Sequence, residues 1–429
     1  MAMSKYYQEG IETASREQIK QWQSERLVKT VKRVYENVEY YRNKMDEKGV
    51  KPEDIKSVDD LYKLPFLTKD DLREAYPYGL VAAPLSDCVR IQSTSGTTGR
   101  RVVAFYTQHD LDLWEDCCAR AITAAGGTKD DVCQVSYGYG LFTGGSGLNG
   151  GSHKVGCLTL PMSSGNTDRQ IQFMTDLGAT ILCCTPSYAA YLAESINERG
   201  LRDKIKLRKG VIGSERWGEK MRKRISDELG IELYDIYGLT EIYGPGIGIS
   251  CKYDCGMHYW DDYIYIEIID PVSGRPVPDG ERGEIVISTL CKEGAPLIRY
   301  RTHDLSRIIP GECECASRFP RLDAIMGRTD DMMKIKGVNV FPSQIEEVLK
   351  LFPEISSEYQ IRISHLDGRD TMRIYVETTG DVEFESLAER ITAMVKSRIG
   401  FTPLVKVVEV GVLPRSEKKT KRVFDERYD

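Results

Sequence analysis

The chain has 429 residues, 41% hydrophobic and 29% charged, a length that calls for two or three domains and not one core. Its net charge of −6 argues against nucleic acid as the main partner, for which a basic stripe is the expected footprint. No stretch approaches the roughly 20 apolar residues of a membrane span, and Met1–Gln18 has no apolar signal core. A cytoplasmic location is expected, with the twelve cysteines reduced or bound to metal and not paired in a disulfide framework.

Through about Tyr78 the pattern is helices broken by short loops. Gln18–Asn43 predicts one amphipathic helix, and Leu64-Pro65-Phe66 a turn before a helix opened by Thr68. From Val89 onward short apolar runs alternate with helices: Val132–Ser136, Thr180–Cys184, Gly210–Gly213 and Glu232–Ile236. Buried strands alternating with helices predict an α/β layered domain with substantial parallel pairing. After Asp254 the texture changes. Tyr263–Ile269 and Gly283–Ile287, separated by the turn-rich Asp270–Gly280, predict an antiparallel hairpin that ends the large domain. A polar segment, Gly327–Asp331, leads into the last hundred or so residues, a typical domain size. There helices (Pro342–Leu351, Phe384–Ile399) alternate with strands (Glu358–Ile363, Met372–Thr378, Val405–Val410), predicting a small α+β domain. The expected division is 1–328 and 329–429.

Between two predicted strands lies Ser93-Thr94-Ser95-Gly96-Thr97-Thr98-Gly99-Arg100. Glycines let backbone N–H groups approach an anion and hydroxyls add donors, which together suit phosphate oxygens. Taken alone the run reads more readily as a surface turn. It is not a Walker loop, because no Gly-Lys-Ser/Thr follows.

Five further motifs follow in order: Gly213-Ser214-Glu215-Arg216-Trp217, Tyr237-Gly238-Leu239-Thr240-Glu241, Tyr300-Arg301-Thr302-His303-Asp304, Gly327-Arg328-Thr329-Asp330-Asp331 with Lys336–Pro342, and Pro414-Arg415-Ser416-Glu417-Lys418-Lys419. With the first loop they make the chain resemble the adenylate-forming enzymes, and most closely the phenylacetate–coenzyme A ligases. Ser214, Arg216, His303 and Lys418 depart from the family pattern. The resemblance implies a large ATP- and acid-binding domain of layered sheets and helices, and a small mobile lid. It implies an enzyme that first makes an acyl adenylate from ATP and an aryl acid, best phenylacetate, and then a coenzyme A thioester.

The roles it implies are specific. Ser93, Ser95, Gly96, Thr97, Thr98 and Gly99 would cradle phosphate, and Thr240 and Glu241 would hold phosphate and Mg²⁺. Gly213, Ser214, Glu215, Asp235, Tyr237 and Gly238 would line the adenine side, with Tyr237 stacked on the base. Asp304 would take the ribose hydroxyls, and Arg328 would contact the nucleotide. Asp330 would be the hinge and Gly337 would line the thiol path. Lys419 would stabilise charge during adenylation; a one-residue shift of the loop would give that role to Lys418.

Ser136–Gly145 mixes aromatics with glycines, and Tyr137, Gly138, Tyr139 and Phe142 are the expected walls of an aryl-acid pocket. Cys251, Cys255 and His258 precede the predicted hairpin and Cys313-Glu314-Cys315 follows it. Cys₃His is a common closed set for structural zinc. The resemblance singles out Cys251, His258, Cys313 and Cys315 and leaves Cys255 spare. Free thiols are the competing expectation for this cluster. An enzyme loading a separate carrier protein and a non-catalytic nucleotide sensor are competing functions, although Glu241, Asp304 and Lys419 are all present. A homodimer packed through the helical N-terminal segment is a further expectation.

Overall fold

The computed structural model describes residues 5–94, 101–335, 338–366, 369–380, 382–416 and 420–427. Its contacts divide the chain into two units: Met1–Cys184 with Lys204–Ser214 and Glu232–Ile325, and Thr185–Asp203 with Glu215–Ile231 and Met326–Asp429.

The first unit begins with α1 (Glu9–Glu12), α2 (Arg16–Asn37) and α3 (Glu39–Glu47). Ser15 caps α2 by accepting from the Gln18 amide, and Ile19, Leu27, Val31 and Val34 turn one stripe into the core. The single helix expected over 18–43 is therefore corrected to two. Val38 sits between them in an extended conformation, its side chain 2% exposed. A β-branched residue tolerates extended backbone well, and burying it offsets the interrupted helix. Next, α4 (Lys69–Glu74) opens with a reciprocal Thr68–Asp71 capping box.

The strands β1 (Cys88–Ser93) and β2 (Val103–Thr107) pair antiparallel. Then come α5 (Gln108–Ala124), β3 (Val132–Val135), α6 (Thr143–Val155), β4 (Leu158–Leu160), α7 (Thr167–Asp176), β5 (Ile181–Cys184), β6 (Lys209–Gly213), β7 (Glu232–Leu239), β8 (Gly244–Ser250) and β9 (Met257–Tyr259). After β10 (Ile264–Ile269), β11 (Gly283–Thr289) and β12 (Tyr300–Ser306), the short β13 (Ile308–Ile309) and β14 (Arg321–Leu322) return to the main sheet. That nine-stranded sheet runs β13-β14-β9-β8-β7-β6-β5-β3-β4. It is parallel from β4 through β7 and antiparallel from β8 onward. All four residues of β5 are buried, as parallel strands covered on both faces require. The predicted hairpin is β10 with β11, in register from Ile264↔Thr289 to Ile269↔Glu284.

Glycines make one packing contact possible. A Cβ on Gly147 would lie 2.5 Å from the Trp114 ring, and one on Gly151 would lie 2.3 Å from the Cys118 Cβ. The glycine-rich α6 can thus lie against α5 at backbone distance.

The second unit contains α8 (Pro186–Glu198) and α9 (Glu219–Leu229), the helices of the β5–β6 and β6–β7 crossovers. It continues with β15 (Gly327–Arg328), the antiparallel pair β16 (Met333–Ile335) and β17 (Val338–Val340), and α10 (Pro342–Leu349). Then follow β18 (Ile355–Leu366), β19 (Arg369–Thr378), α11 (Phe384–Ile399), β20 (Leu404–Val408) and β21 (Val423–Asp425), with sheet order β20-β19-β18-β21. Ile361, Ile363, Ile374, Ile391 and Val395 form the centre of its own core.

Candidate active site and metal centre

Ser93 ends β1 with its amide donating to Leu141 O at 2.9 Å, and the Thr94 amide donates to Val102 O at 3.0 Å. These bonds pair the residues flanking the glycine-rich stretch and join the end of β1 to the aryl-acid segment. Ser95, Gly96, Thr97, Thr98 and Gly99 themselves lie outside the described residues, as do Gly337, Lys418 and Lys419.

At the ends of the parallel strands the expected nucleotide residues converge. Tyr237, near the end of β7, donates its hydroxyl to Asp304 Oδ2 of β12 at 2.8 Å, and both are buried. Gly213 ends β6; a Cβ there would sit 2.2 Å from Ile236 O, so only glycine fits between the strands. Ser214 follows with φ +72. A bulge between Tyr237 and Gly238 marks the switch from parallel to antiparallel pairing, and the Asp235 amide donates to Ser250 Oγ at 2.8 Å.

Thr240 and Glu241 occupy the turn between β7 and β8. The Thr240 Oγ1 lies 3.4 Å from Thr143 Oγ1. The buried Glu241 carboxylate has Tyr300 Oη at 3.4 Å and Lys69 Nζ at 3.5 Å. No motif pointed to Lys69, which follows the cap residue Thr68 and reads in sequence as an exposed first-turn charge. Lys292 was equally invisible; fully buried, it is pulled down to about 8 by desolvation, against the attraction of Asp110 and Glu241.

The aryl-acid segment divides. Tyr137 is buried and its hydroxyl accepts from the Gly213 amide at 2.9 Å, so it ties β6 to the segment after β3. The Tyr139 hydroxyl donates to Asn149 Oδ1 at 3.3 Å, Gly138 lies 3.6 Å from the Phe142 ring by its virtual Cβ, and Phe142 is half exposed. Thr143 already begins α6, which the sequence did not indicate because glycines disfavour helix.

In the second unit the Glu215 carboxylate accepts from Ser187 Oγ at 2.5 Å and from the Thr420 amide at 2.8 Å. Arg216 pairs with Glu346 at 3.0 Å. Arg328 forms a two-point contact with Asp330 at 2.8 and 3.0 Å.

Cys251, His258, Cys313 and Cys315, all buried, bring one ligand atom each to within 4.8 Å of one another. His258 uses Nδ1 on Phe319 O at 2.9 Å, which leaves Nε2 facing Cys315 Sγ at 3.2 Å. The backbone amides of Cys315 and Ser317 donate to the Cys313 and Cys315 sulfurs at 3.4 Å each, a pattern that stabilises thiolate. The Cys251–Cys313 sulfur separation is 3.6 Å; tetrahedral Zn–S bonds of about 2.3 Å give an edge of roughly 3.8 Å. The donor set therefore fits a closed zinc site. Cys255 lies alongside, 3.1 Å from Cys313 Sγ.

Residues 10–291 match the AMP-binding enzyme family and residues 337–427 match the AMP-binding enzyme C-terminal domain. The chain is 43% identical to the phenylacetate-coenzyme A ligase of Escherichia coli (strain K12), covering 97% of each chain. It is 42% identical to that of Pseudomonas putida, over 97% of this chain and 96% of the relative. A solved structure of 2-hydroxyisobutyryl-CoA ligase with 2-HIB-AMP, in its postadenylation state, superposes with a TM-score of 0.90 at 27% identity, covering 100% of this chain and 94% of that one. The chain belongs to the AMP-binding enzymes, and among them to the phenylacetate–coenzyme A ligase family.

Proposed function

We propose that the chain converts phenylacetate, ATP and coenzyme A to phenylacetyl-coenzyme A, AMP and pyrophosphate. It is an AMP-forming acid–thiol ligase. The observation that carries the reading is the convergence of Tyr237, Asp304, Thr240 and Glu241 around the end of β7, within a fold shared with acyl-coenzyme A ligases.

In the first half-reaction a carboxylate oxygen attacks the α-phosphorus and pyrophosphate leaves. Because little covalent work falls to the protein, positioning and charge stabilisation dominate. Ser93 and the loop Ser95–Gly99 supply donors to the phosphates, and Lys419 supplies a cation to the developing charge. Asp304 accepts from the ribose, with Tyr237 holding its second oxygen, and Gly213, Ser214, Glu215, Asp235 and Gly238 shape the adenine side. Arg328 contacts the nucleotide. In the second half-reaction the thiol sulfur attacks the acyl carbon along a path lined by Gly337, the C–O bond to phosphate breaks, and AMP leaves. Tyr139, Phe142 and the Gly138 backbone bound the aryl group; Tyr137 acts from behind through Gly213.

Glu241 suits Mg²⁺, because its contacts to Lys69 and Tyr300 are long and leave lone pairs for a hard cation. Magnesium held there would neutralise phosphate charge. Cys251, His258, Cys313 and Cys315 would hold a structural zinc, closed to substrate because all four positions come from protein. The twelve free cysteines suit a reducing cytoplasm, and among the described residues no helix is long and apolar enough to cross a membrane.

The test is pyrophosphate release with a panel of aryl acids, with and without coenzyme A, and mass detection of the thioester. Phenylacetate-dependent release and thioester formation are expected. Release without thioester would favour a carrier-protein acceptor; no release with any acid would favour a nucleotide sensor.

A further inference from the structure

The turn that carries Thr240 and Glu241 is held from outside itself. Four consecutive carbonyl oxygens, of Thr240, Glu241, Ile242 and Tyr243, are taken by two buried side chains. Tyr106, on β2, donates its hydroxyl to Thr240 O at 3.3 Å and shares it with Tyr243 O at 3.2 Å. Lys292, beyond the end of β11, donates from Nζ to Ile242 O and to Glu241 O, the latter at 3.4 Å. Its ammonium also lies over the Tyr106 ring at 4.4 Å and the Tyr243 ring at 5.3 Å. Tyr106 in turn stacks on Trp114 of α5, with centroids 5.4 Å apart.

The segment bearing Lys292 is itself fixed. Asp110, fully buried, accepts from the Glu293 amide at 2.7 Å, the Gly294 amide at 2.8 Å and the Thr107 amide at 3.0 Å. Asp110 and Glu241 supply opposite charge without closing an ion pair on Nζ; among the described residues no carboxylate lies within salt-bridge distance of it. Removing an ammonium from water is costly unless it is paired or fully hydrogen-bonded. A methionine would fill similar space without that cost. What lysine adds is donors and charge directed at the peptide units of Glu241 and Ile242.

We infer that Lys292 is a positioning residue for nucleotide binding, setting the backbone of the Thr240–Tyr243 turn so that the Thr240 hydroxyl and Glu241 carboxylate are presented to the metal–nucleotide pair. This rests on the reading of the ATP site above. With Lys292 absent, two buried carbonyls lose their donor and the turn relaxes to find others. The Glu241 carboxylate then loses a fixed orientation, although every side chain that would touch the nucleotide is still present.

The experiment measures ATP affinity by titration calorimetry across a range of Mg²⁺ concentrations, without acid or coenzyme A, for the full chain and the variants K292M, K292Q and Y106F. Thermal unfolding is recorded alongside. K292M is expected to weaken ATP binding at least tenfold and to raise the Mg²⁺ concentration for half-saturation, with a melting temperature equal to or above that of the wild type. K292Q, which keeps two N–H donors without charge, is expected to recover part of the affinity. Affinity and Mg²⁺ dependence within twofold of wild type in K292M would overturn the inference. If K292M does not fold, Y106F decides by the same criterion, since it frees the Thr240 and Tyr243 carbonyls and keeps the ring. Failure of the wild type itself to bind ATP would instead overturn the reading of the site, and the inference with it.

Discussion

The Tyr237 hydroxyl donates to Asp304 Oδ2 at 2.8 Å, joining the ends of two strands from different sheets. The family resemblance places these residues at opposite parts of a nucleotide, base and ribose. Their direct bond makes one hydrogen-bonded unit in which the tyrosine hydroxyl orients the carboxylate. Asp304 is further set by its own amide, which donates to Thr302 Oγ1 at 3.0 Å.

Tyr237→Phe should keep the ring and release the carboxylate. A hydrogen bond to a charged group is worth about 1.5–3 kcal/mol, and water can replace part of it in the variant. The KM for ATP should rise roughly five- to tenfold with kcat nearly unchanged. Asp304→Ala should raise it further, by about a hundredfold. Steady-state kinetics with ATP varied will measure both, and a Tyr237→Phe enzyme identical to wild type would remove the orienting role.

On the proposed mechanism the lysine loop and the hinge at Asp330 serve different half-reactions, so their variants should part the two steps. Lys419→Ala should slow acyl-adenylate formation by about 10²–10³, the range for losing one preorganised charge-stabilising group, while Lys418→Ala should leave it near wild type. Asp330→Pro should spare adenylate formation and impair thioester formation, because proline fixes a dihedral that a hinge must change. Single-turnover assays starting from acid or from preformed adenylate measure each step. Equal loss of both steps in Asp330→Pro would end the hinge assignment.

Metal analysis of purified protein should find about one zinc per chain, as a closed set of four ligands predicts. Stripping it with a strong chelator, or Cys313→Ser, should lower the melting temperature by about 10 °C or more, since structural zinc binding is folding free energy. The folded fraction should retain its kcat. Zinc well below one per chain in protein purified without chelator would show free thiols in its place.

Asp261 supplies a pH test remote from the nucleotide. Burial raises its carboxyl from 3.8 to about 6, despite the Arg16 contact at 2.6 Å, and its Oδ1 is buried without a partner. Between those values the native state binds more protons than the unfolded state, so this group's contribution to stability falls as pH rises through the window. The penalty is fully present above about 6 and amounts to roughly 3 kcal/mol. Wild type should therefore gain stability relative to Asp261→Asn as pH is lowered from 7 to 4.5, read as the difference in melting temperature. A pH-independent difference would show that Asp261 is ionised throughout.

Much of the architecture was legible locally. β5 and β6 are short, largely apolar runs whose burial follows from composition, and Phe384–Ile399 is a helix whose end is marked by Gly400 in the left-handed region. The break at Val38 was not legible, because the apolar spacing continues across it and only tertiary burial selects the extended conformation. Nor was the start of α6 at Thr143: its glycines oppose helix and are required by contacts with Trp114 and Cys118 that lie outside the segment.

The site divides the same way. Residue type and order alone determined which segments are the candidate motifs of this protein, because a hydroxyl-glycine loop and a Tyr-Gly-Leu-Thr-Glu run carry their chemistry in contiguous side chains. The resemblance already grouped Cys251 and His258 with Cys313 and Cys315, and the fold brings them together; two relationships were decided only by the tertiary structure, the bond from Tyr237 to Asp304 and the hold of Lys292 on the turn bearing Glu241. In the last the partners are backbone carbonyls some fifty residues earlier, by direct count of 292 against 241 and 242. A carbonyl has the same chemistry at every residue, so no sequence pattern can mark which lysine it will meet.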